Sequence, residues 1–302
     1  MVKILATDGM DKSAIEALTQ MGHEVVVQFY ELEDLKNAVK EFDAMVVRFA
    51  TKVRVPVIDA AVEGGRLKMV IRGGVGVDNI DVDYAESKGI KVRNTPNSSS
   101  ISVAELALAH MFSLTRFVGI SNVTMRSGQW NKKNYVGIEL MNKTLGLVGF
   151  GRISLELAKR AHALGMKVVY TNRSGPKEGY PDYKYVEFDE LLKISDFVSI
   201  HTPATKDGSP IIGKAELDLM KKGSYLINCA RGGVVDEVAL LDALNSNHLA
   251  GAGIDVFMEE PTKNEELLNH PNVSVTPHIG GSTAEAQERI GGEIVELIKN
   301  NF

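Results

Sequence analysis

The stretch Lys143-Thr144-Leu145-Gly146-Leu147-Val148-Gly149-Phe150-Gly151-Arg152-Ile153, continued to Gly165, constrains this chain more than any other. Residues 145–148 form a short apolar run that predicts a buried strand. Gly149-Phe150-Gly151 predicts a tight turn. Ile153, Leu157 and Ala161 then recur at helical spacing, and Gly165 stands where a helix stops. Residues 166–170 predict a second strand. Strand, glycine turn, helix and strand in this order open a dinucleotide-binding unit. Its glycines let the backbone approach a pyrophosphate, and its helix N-terminus offers N–H groups to the phosphates. Two positions depart from that pattern. Ser154 replaces the third glycine, so close helix-to-strand packing is expected to be strained. Asn172-Arg173 stands about 20 residues on, where an acidic residue would hold the ribose hydroxyls of NAD. An arginine there suits a 2′-phosphate, so NAD and NADP both stay open.

Upstream, residues 2–6, 24–28, 44–47, 69–71 and 90–92 predict five strands. Helices are expected over 12–21, with Ile15 and Leu18 inward, over 32–42 and over 56–61. Strands alternating with helices at this interval imply a parallel sheet covered on both faces. Residues 103–117 predict a long helix, apolar over more than one stripe and so expected to be buried between domains or subunits. His110 within it reads as a core histidine with a hydrogen-bonded partner. A polar loop around Trp130 follows. Further strands are expected over 197–200, 224–229, 254–257 and 273–275, and a last helix over 284–299.

The net charge of −5, with no dense basic cluster, argues against a nucleic-acid-binding protein. One cysteine among 302 residues excludes a disulfide framework. No leader-like segment opens the chain, and no apolar run approaches the length of a membrane span. A cytoplasmic protein is expected, with no membrane and no metal among its partners.

Ligands of open parallel sheets gather outside the carboxyl ends of the strands. Three such ends carry Arg231, Glu260 and His278. Hydride transfer to or from a hydroxy acid needs a cation for the carboxylate and carbonyl, an acid/base titrating near neutrality, and a group that orients that base. Arginine, histidine and a carboxylate supply these. Taken singly, Arg231 is also readable as a surface ion-pair partner, Glu260 as a solvated acid and His278 as a cap. Arg48 and Arg72 end two earlier strands beside Gly73-Gly74-Val75-Gly76, a second place where backbone N–H groups can meet an anion.

The chain resembles the D-isomer-specific 2-hydroxyacid dehydrogenases over essentially its whole length. The resemblance is carried by Arg72-Gly73-Gly74-Val75-Gly76-Val77-Asp78-Asn79, Asn94-Thr95-Pro96, Val103-Ala104-Glu105, Gly149-Phe150-Gly151-Arg152-Ile153, Asn228-Cys229-Ala230-Arg231-Gly232, Asp255-Val256-Phe257 to Pro261, and Thr276-Pro277-His278-Ile279-Gly280-Gly281. It implies an α/β fold of two doubly wound parallel-sheet domains, a Rossmann-type nucleotide domain (98–280) inserted into a flavodoxin-like substrate domain (1–97 plus 281–302). The domains are expected to close over substrate, hinged near Asn97 and Gly281. The resemblance makes His278 the acid/base, Glu260 its partner, and Arg231 the group that binds the carboxylate and polarises the carbonyl. It implies cofactor contacts at Val75, Gly149, Gly151, Arg152, Ile153, Asn172, Arg173, Thr202, Pro203, Cys229, Ala230, Asp255, Gly280 and Gly281. It places the substrate carboxylate on the N–H groups of Val75 and Gly76.

Within the family, Val46-Val47-Arg48-Phe49-Ala50-Thr51-Lys52-Val53, Gln129-Trp130-Asn131-Lys132-Lys133 and Gly137-Ile138-Glu139-Leu140 resemble members that oxidise 3-phospho-D-glycerate. That gives Arg48 and Arg72 a substrate phosphate to hold. Lys132 and Lys133 would add charge, from the partner subunit of a homodimer. The chain stops at Phe302, after the last helix, so no regulatory domain and no serine feedback are expected. Glyoxylate and hydroxypyruvate reductases of the family are the alternative, since they carry arginine at the position of Arg173. A nucleotide-sensing corepressor-like protein is a third reading, from another class.

Overall fold

Alternate residues of the central strands face opposite sides, and both sides are apolar, as sheets covered by helices on both faces require. A computed structural model describes residues Met1–Phe302 and divides them into two compact units, Met1–Ser99 with Gly281–Phe302, and Ser100–Gly280.

The first unit runs β1 (Lys3–Ala6), α1 (Lys12–Gln20), β2 (Glu24–Val27), α2 (Leu32–Ala38), β3 (Ala44–Val47), α3 (Val55–Gly64), β4 (Met69–Arg72), α4 (Val82–Ser87) and β5 (Lys91–Asn94). Its five strands are parallel in the order β2-β1-β3-β4-β5, a flavodoxin-like order whose direction switches between β1 and β3. Leu5, Met45, Val47 and Val70 pack on one face with Leu35, Val57 and Ile58. Ile4, Ala6, Val46 and Ile71 pack on the other with Ile290, Ile294 and Ile298 of the last helix, Ala284–Lys299. In α1 the fully buried pair is Ala14 and Leu18, four residues apart; Ile15, expected inward, is half-buried.

The second unit runs α5 (Ser100–Arg116), α6 (Val118–Arg126), β6 (Thr144–Val148), α7 (Arg152–Ala163), β7 (Lys167–Thr171), β8 (Lys184–Tyr185), α8 (Phe188–Ile194), β9 (Phe197–Ile200), α9 (Lys214–Leu219), β10 (Ser224–Asn228), α10 (Glu237–Asn245), β11 (Leu249–Ile254), α11 (Glu265–Asn269) and β12 (Val273–Val275). Seven parallel strands lie in the order β12-β11-β10-β9-β6-β7-β8. This is the Rossmann order extended by one strand, with its switch between β6 and β9.

Some expected elements are displaced. The strand read over 254–257 ends at Ile254 and begins at Leu249. Gly251 and Gly253 hid it, because glycine weakens strand propensity. The packing needs Gly253: a Cβ there would lie 2.6 Å from Cβ of His110. The long helix ends at Arg116 because Phe117 turns to a left-handed φ of 57°. The apolar surface of α5 is used within the second unit, against α7 and strands β10–β12. No single helix is long and apolar enough to cross a membrane.

Candidate active site

In the second unit, the loops after β6, β9, β10, β11 and β12 carry the side chains that the sequence singles out. Gly149 closes β6 with φ 87°, and its N–H donates to Thr171 O at 3.1 Å. A Cβ on Gly149 would lie 2.8 Å from the His201 carbonyl oxygen and 2.8 Å from Thr202 Cγ2, so only glycine permits this approach at the switch point. Gly151 precedes α7, and Arg152 and Ile153 begin that helix. Ser154 is fully buried and donates its hydroxyl to the Gly149 carbonyl at 2.6 Å. The residue that replaces the third glycine therefore ties the helix to the turn.

Two residues beside this turn carry unpaired polar atoms. Thr202 Oγ1 and His201 Nδ1 are buried polar atoms with no hydrogen-bond partner in the chain. His201 was legible in the sequence only as the end of a strand. Its Nε2 lies 2.9 Å from Ser199 Oγ, and burial pushes its pKa down to about 4, so the ring is neutral at physiological pH. A glycine cradle, a helix N-terminus and orphaned polar atoms at one switch point fit a dinucleotide.

At the end of β7, Asn172 Nδ2 donates to Ser174 Oγ at 2.7 Å and the Gly175 N–H donates to the Asn172 carbonyl, a turn that leaves Arg173 exposed. Pro203 is exposed, whereas Cys229 and Ala230 are buried beyond β10. Burial, with a contribution from Asp255, pushes the Cys229 thiol well above its ordinary value, which keeps it protonated.

The proposed catalytic side chains stand on three loops. His278 Nδ1 lies 2.7 Å from Glu260 Oε2, and Glu260 Oε1 accepts from the Phe257 N–H at 3.0 Å. Burial works to raise the Glu260 pKa. The hydrogen bonds from His278 and Phe257, with the positive charges of His278 and Arg231, outweigh it and hold the carboxyl below its ordinary value. Asn228 at the end of β10 orders the Arg231 loop: it donates to the Arg231 carbonyl at 3.0 Å and accepts from the Ala230 N–H at 3.1 Å. Gly232 lets this loop approach the Phe257 carbonyl, into which a Cβ would run. Arg231 Nη1 in turn donates to the Ala230 carbonyl at 2.6 Å.

Asp255 is 1% exposed, and both its carboxylate oxygens are used inside the chain. Oδ1 accepts from Thr276 Oγ1 at 2.6 Å and the Ile279 N–H at 2.8 Å; Oδ2 accepts from the Gly280 N–H at 2.9 Å. His278 itself has a φ of 52°, the left-handed region.

The first unit carries its own cluster at the ends of β3 and β4. Asp8 accepts from the Arg48 N–H at 2.7 Å and the Thr51 hydroxyl at 2.6 Å, and Asn79 donates to the carbonyls of Arg48 and Thr51. These bonds pin the backbone that carries Arg48. A Cβ on Gly73 would lie 3.8 Å from Arg48 Cγ, and one on Gly74 would run into the Arg72 guanidinium, so both arginines line the glycine loop. The Asn94 side chain holds the Val75 carbonyl, and the N–H groups of Val75 and Gly76 take part in no hydrogen bond within this unit. Gly281 also belongs to this unit. Lys132 and Lys133 sit on a short 3₁₀ turn of the second unit.

Comparison with known proteins shows the family. The family model "D-isomer specific 2-hydroxyacid dehydrogenase, NAD binding domain" matches residues 108–280. A hydroxypyruvate reductase of Thermotoga maritima is 44% identical over 98% of this chain and 97% of its own length. A D-3-phosphoglycerate dehydrogenase of Methanocaldococcus jannaschii is also 44% identical, over 99% of this chain but 57% of its own. Among solved structures, a glyoxylate reductase from Paecilomyes thermophila superposes with a TM-score of 0.89 at 32% identity, covering 99% of this chain and 94% of that one. The chain belongs to the D-isomer specific 2-hydroxyacid dehydrogenase family. It is an oxidoreductase that uses a nicotinamide cofactor.

Proposed function

We propose that the chain is a D-3-phosphoglycerate dehydrogenase, moving a hydride between 3-phospho-D-glycerate and the cofactor to give 3-phosphohydroxypyruvate. The observation that carries this reading is the pair Arg48 and Arg72 beside one glycine loop, since two guanidinium groups next to free N–H groups suit a ligand with both a phosphate and a carboxylate. In this reading Val75 and Gly76 receive the carboxylate, Arg48 and Arg72 the phosphate, and Lys132 and Lys133 add charge from the partner of a homodimer. Support for the dimer comes from α6, which has no buried residue and exposes Val118, Val123 and Met125. A reducing, cytoplasmic setting suits the free thiol of Cys229.

The cofactor is held by the Gly149–Gly151 turn, the first turn of α7 with Arg152 and Ile153, Asn172, Arg173 and Thr202, and when bound it supplies the hydride acceptor or donor. The chain's own residues do the rest. Glu260 fixes the His278 ring by accepting from Nδ1–H, which leaves Nε2 as the atom that exchanges the hydroxyl proton. Arg231 pairs with the carboxylate and stabilises the developing carbonyl oxygen. In oxidation, neutral His278 takes the hydroxyl proton and Glu260 stabilises the resulting imidazolium.

A second reading, a reductase of hydroxypyruvate or glyoxylate, is favoured by the 44% identity to the hydroxypyruvate reductase and by Asn172-Arg173 in place of an acidic residue. Steady-state rates with 3-phosphoglycerate, hydroxypyruvate and glyoxylate, each with NAD(H) and NADP(H), separate the two. Oxidation of 3-phosphoglycerate that falls at least tenfold in Arg48→Ala supports the first; turnover of the unphosphorylated acids alone supports the second.

A further inference from the structure

His110 is 2% exposed, on a helix that carries none of the proposed catalytic groups, yet both ring nitrogens are hydrogen-bonded. Nδ1 lies 2.9 Å from Ser274 Oγ and Nε2 lies 3.1 Å from Thr276 Oγ1. The Thr276 hydroxyl has one proton, and it goes to Asp255 Oδ1 at 2.6 Å. Thr276 Oγ1 therefore accepts from His110, which puts a proton on Nε2. Burial disfavours a second proton on this ring, so Nδ1 accepts from the Ser274 hydroxyl. Asp255 collects two further donors, the N–H groups of Ile279 and Gly280, and its carbonyl accepts from the His278 N–H at 2.8 Å. The chain of bonds ends on the turn where His278 holds a left-handed φ of 52°. A non-glycine residue there is strained and persists only when its surroundings hold it. Gly253 makes the room that lets the imidazole reach Thr276: a Cβ at that position would lie 2.9 Å from His110 Cγ.

We propose that His110 is a positioning residue: as the Nε2–H tautomer it aims the Thr276 hydroxyl at Asp255, whose carboxylate then clamps Ile279 and Gly280 and holds His278 in place. This rests on the reading of His278 as the proton-exchanging group. Removing the donor leaves Thr276 free to turn away from Asp255, loosens the clamp and moves the His278 ring relative to Glu260. The effect should fall on the chemical step and leave the affinity for the acid substrate nearly unchanged.

Two measurements on the protein test it. Long-range ¹H–¹⁵N NMR reads the His110 tautomer without any turnover; Nε2–H is expected, and Nδ1–H would overturn the proposal. In kinetics, His110→Leu is expected to lower kcat about tenfold with KM for the acid within about twofold, and His110→Gln, which keeps a donor near Nε2, to recover most of the loss. Thr276→Val is expected to match His110→Leu, and the double variant to be no worse than either alone. If His110→Leu does not fold, Thr276→Val and His110→Gln still decide the matter. Unchanged kcat in His110→Leu or Thr276→Val, folded His110→Gln as slow as His110→Leu, or additive losses would each contradict it. If the wild type turns over no 2-oxo or 2-hydroxy acid, the functional reading fails while the tautomer still decides this one.

Discussion

His278 Nδ1 and Glu260 Oε2 lie 2.7 Å apart, although one stands beyond β12 and the other on the loop after β11. Neither residue lies within a strand or helix, so their meeting depends on loops braced from behind. Glu260 is held by the Phe257 N–H, and the neighbouring Met258 N–H donates to Glu237 at 2.8 Å.

Replacing Glu260 by Gln keeps the shape and removes the charge. The imidazolium formed during oxidation then loses its counter-charge, and kcat for the hydroxy acid is expected to fall about tenfold or more. Stability should change with pH in a defined direction. The folded-state pKa of Glu260 lies below its ordinary 4.5, so its contribution is complete above that value and is lost as pH falls through the folded value. Acid titration of unfolding should therefore be less steep below pH 4.5 in Glu260→Gln than in the wild type. Equal steepness would show that the pair contributes nothing to acid stability.

The left-handed backbone at His278 separates stability from activity. His278→Ala and His278→Gly should both lose at least about 100-fold in kcat. The glycine variant should be the more stable of the two by about 1 kcal/mol, because only glycine accepts this φ without a steric penalty. Thermal unfolding of the pair reads this directly, and an alanine variant as stable as the glycine one would contradict it.

Gly232→Ala tests the approach of the Arg231 loop to the Phe257 carbonyl. The added methyl has no room, so the two loops must part, at a cost of about 1–3 kcal/mol. Activity should fall by more than the loss of folded protein explains, because Arg231 and Glu260 are displaced together.

Asn172→Asp addresses cofactor choice. A carboxylate at the end of β7 accepts from the ribose hydroxyls of NAD and repels a 2′-phosphate. The ratio of Kd for NADP to Kd for NAD should rise at least about tenfold, read by quenching of intrinsic fluorescence. No change in that ratio would place the ribose elsewhere.

Much of this fold was legible because apolar strands next to glycine turns leave a strong local signal. β3, β9, β12 and the last helix begin and end where the sequence places them. α6 was not legible, since a helix with no buried residue has no apolar periodicity to read. β11 was misplaced because its glycines serve packing against α5 and Asn272 and not strand propensity. The residue types at positions 231, 260 and 278 were readable as chemistry, but the brace behind them was not. His110, Thr276 and Asp255 are distant in sequence; the parallel register of β11 and β12 aligns Asp255 with Thr276, and the packing of α5 on those strands adds His110.

The measurement closest to the central claim is kcat/KM of wild type and Arg48→Ala for 3-phosphoglycerate oxidation, taken beside hydroxypyruvate reduction. The account predicts activity on the phosphorylated acid that falls at least about tenfold in the variant, with hydroxypyruvate reduction changed by less than about threefold. No oxidation of 3-phosphoglycerate, or equal losses on both substrates, would contradict it.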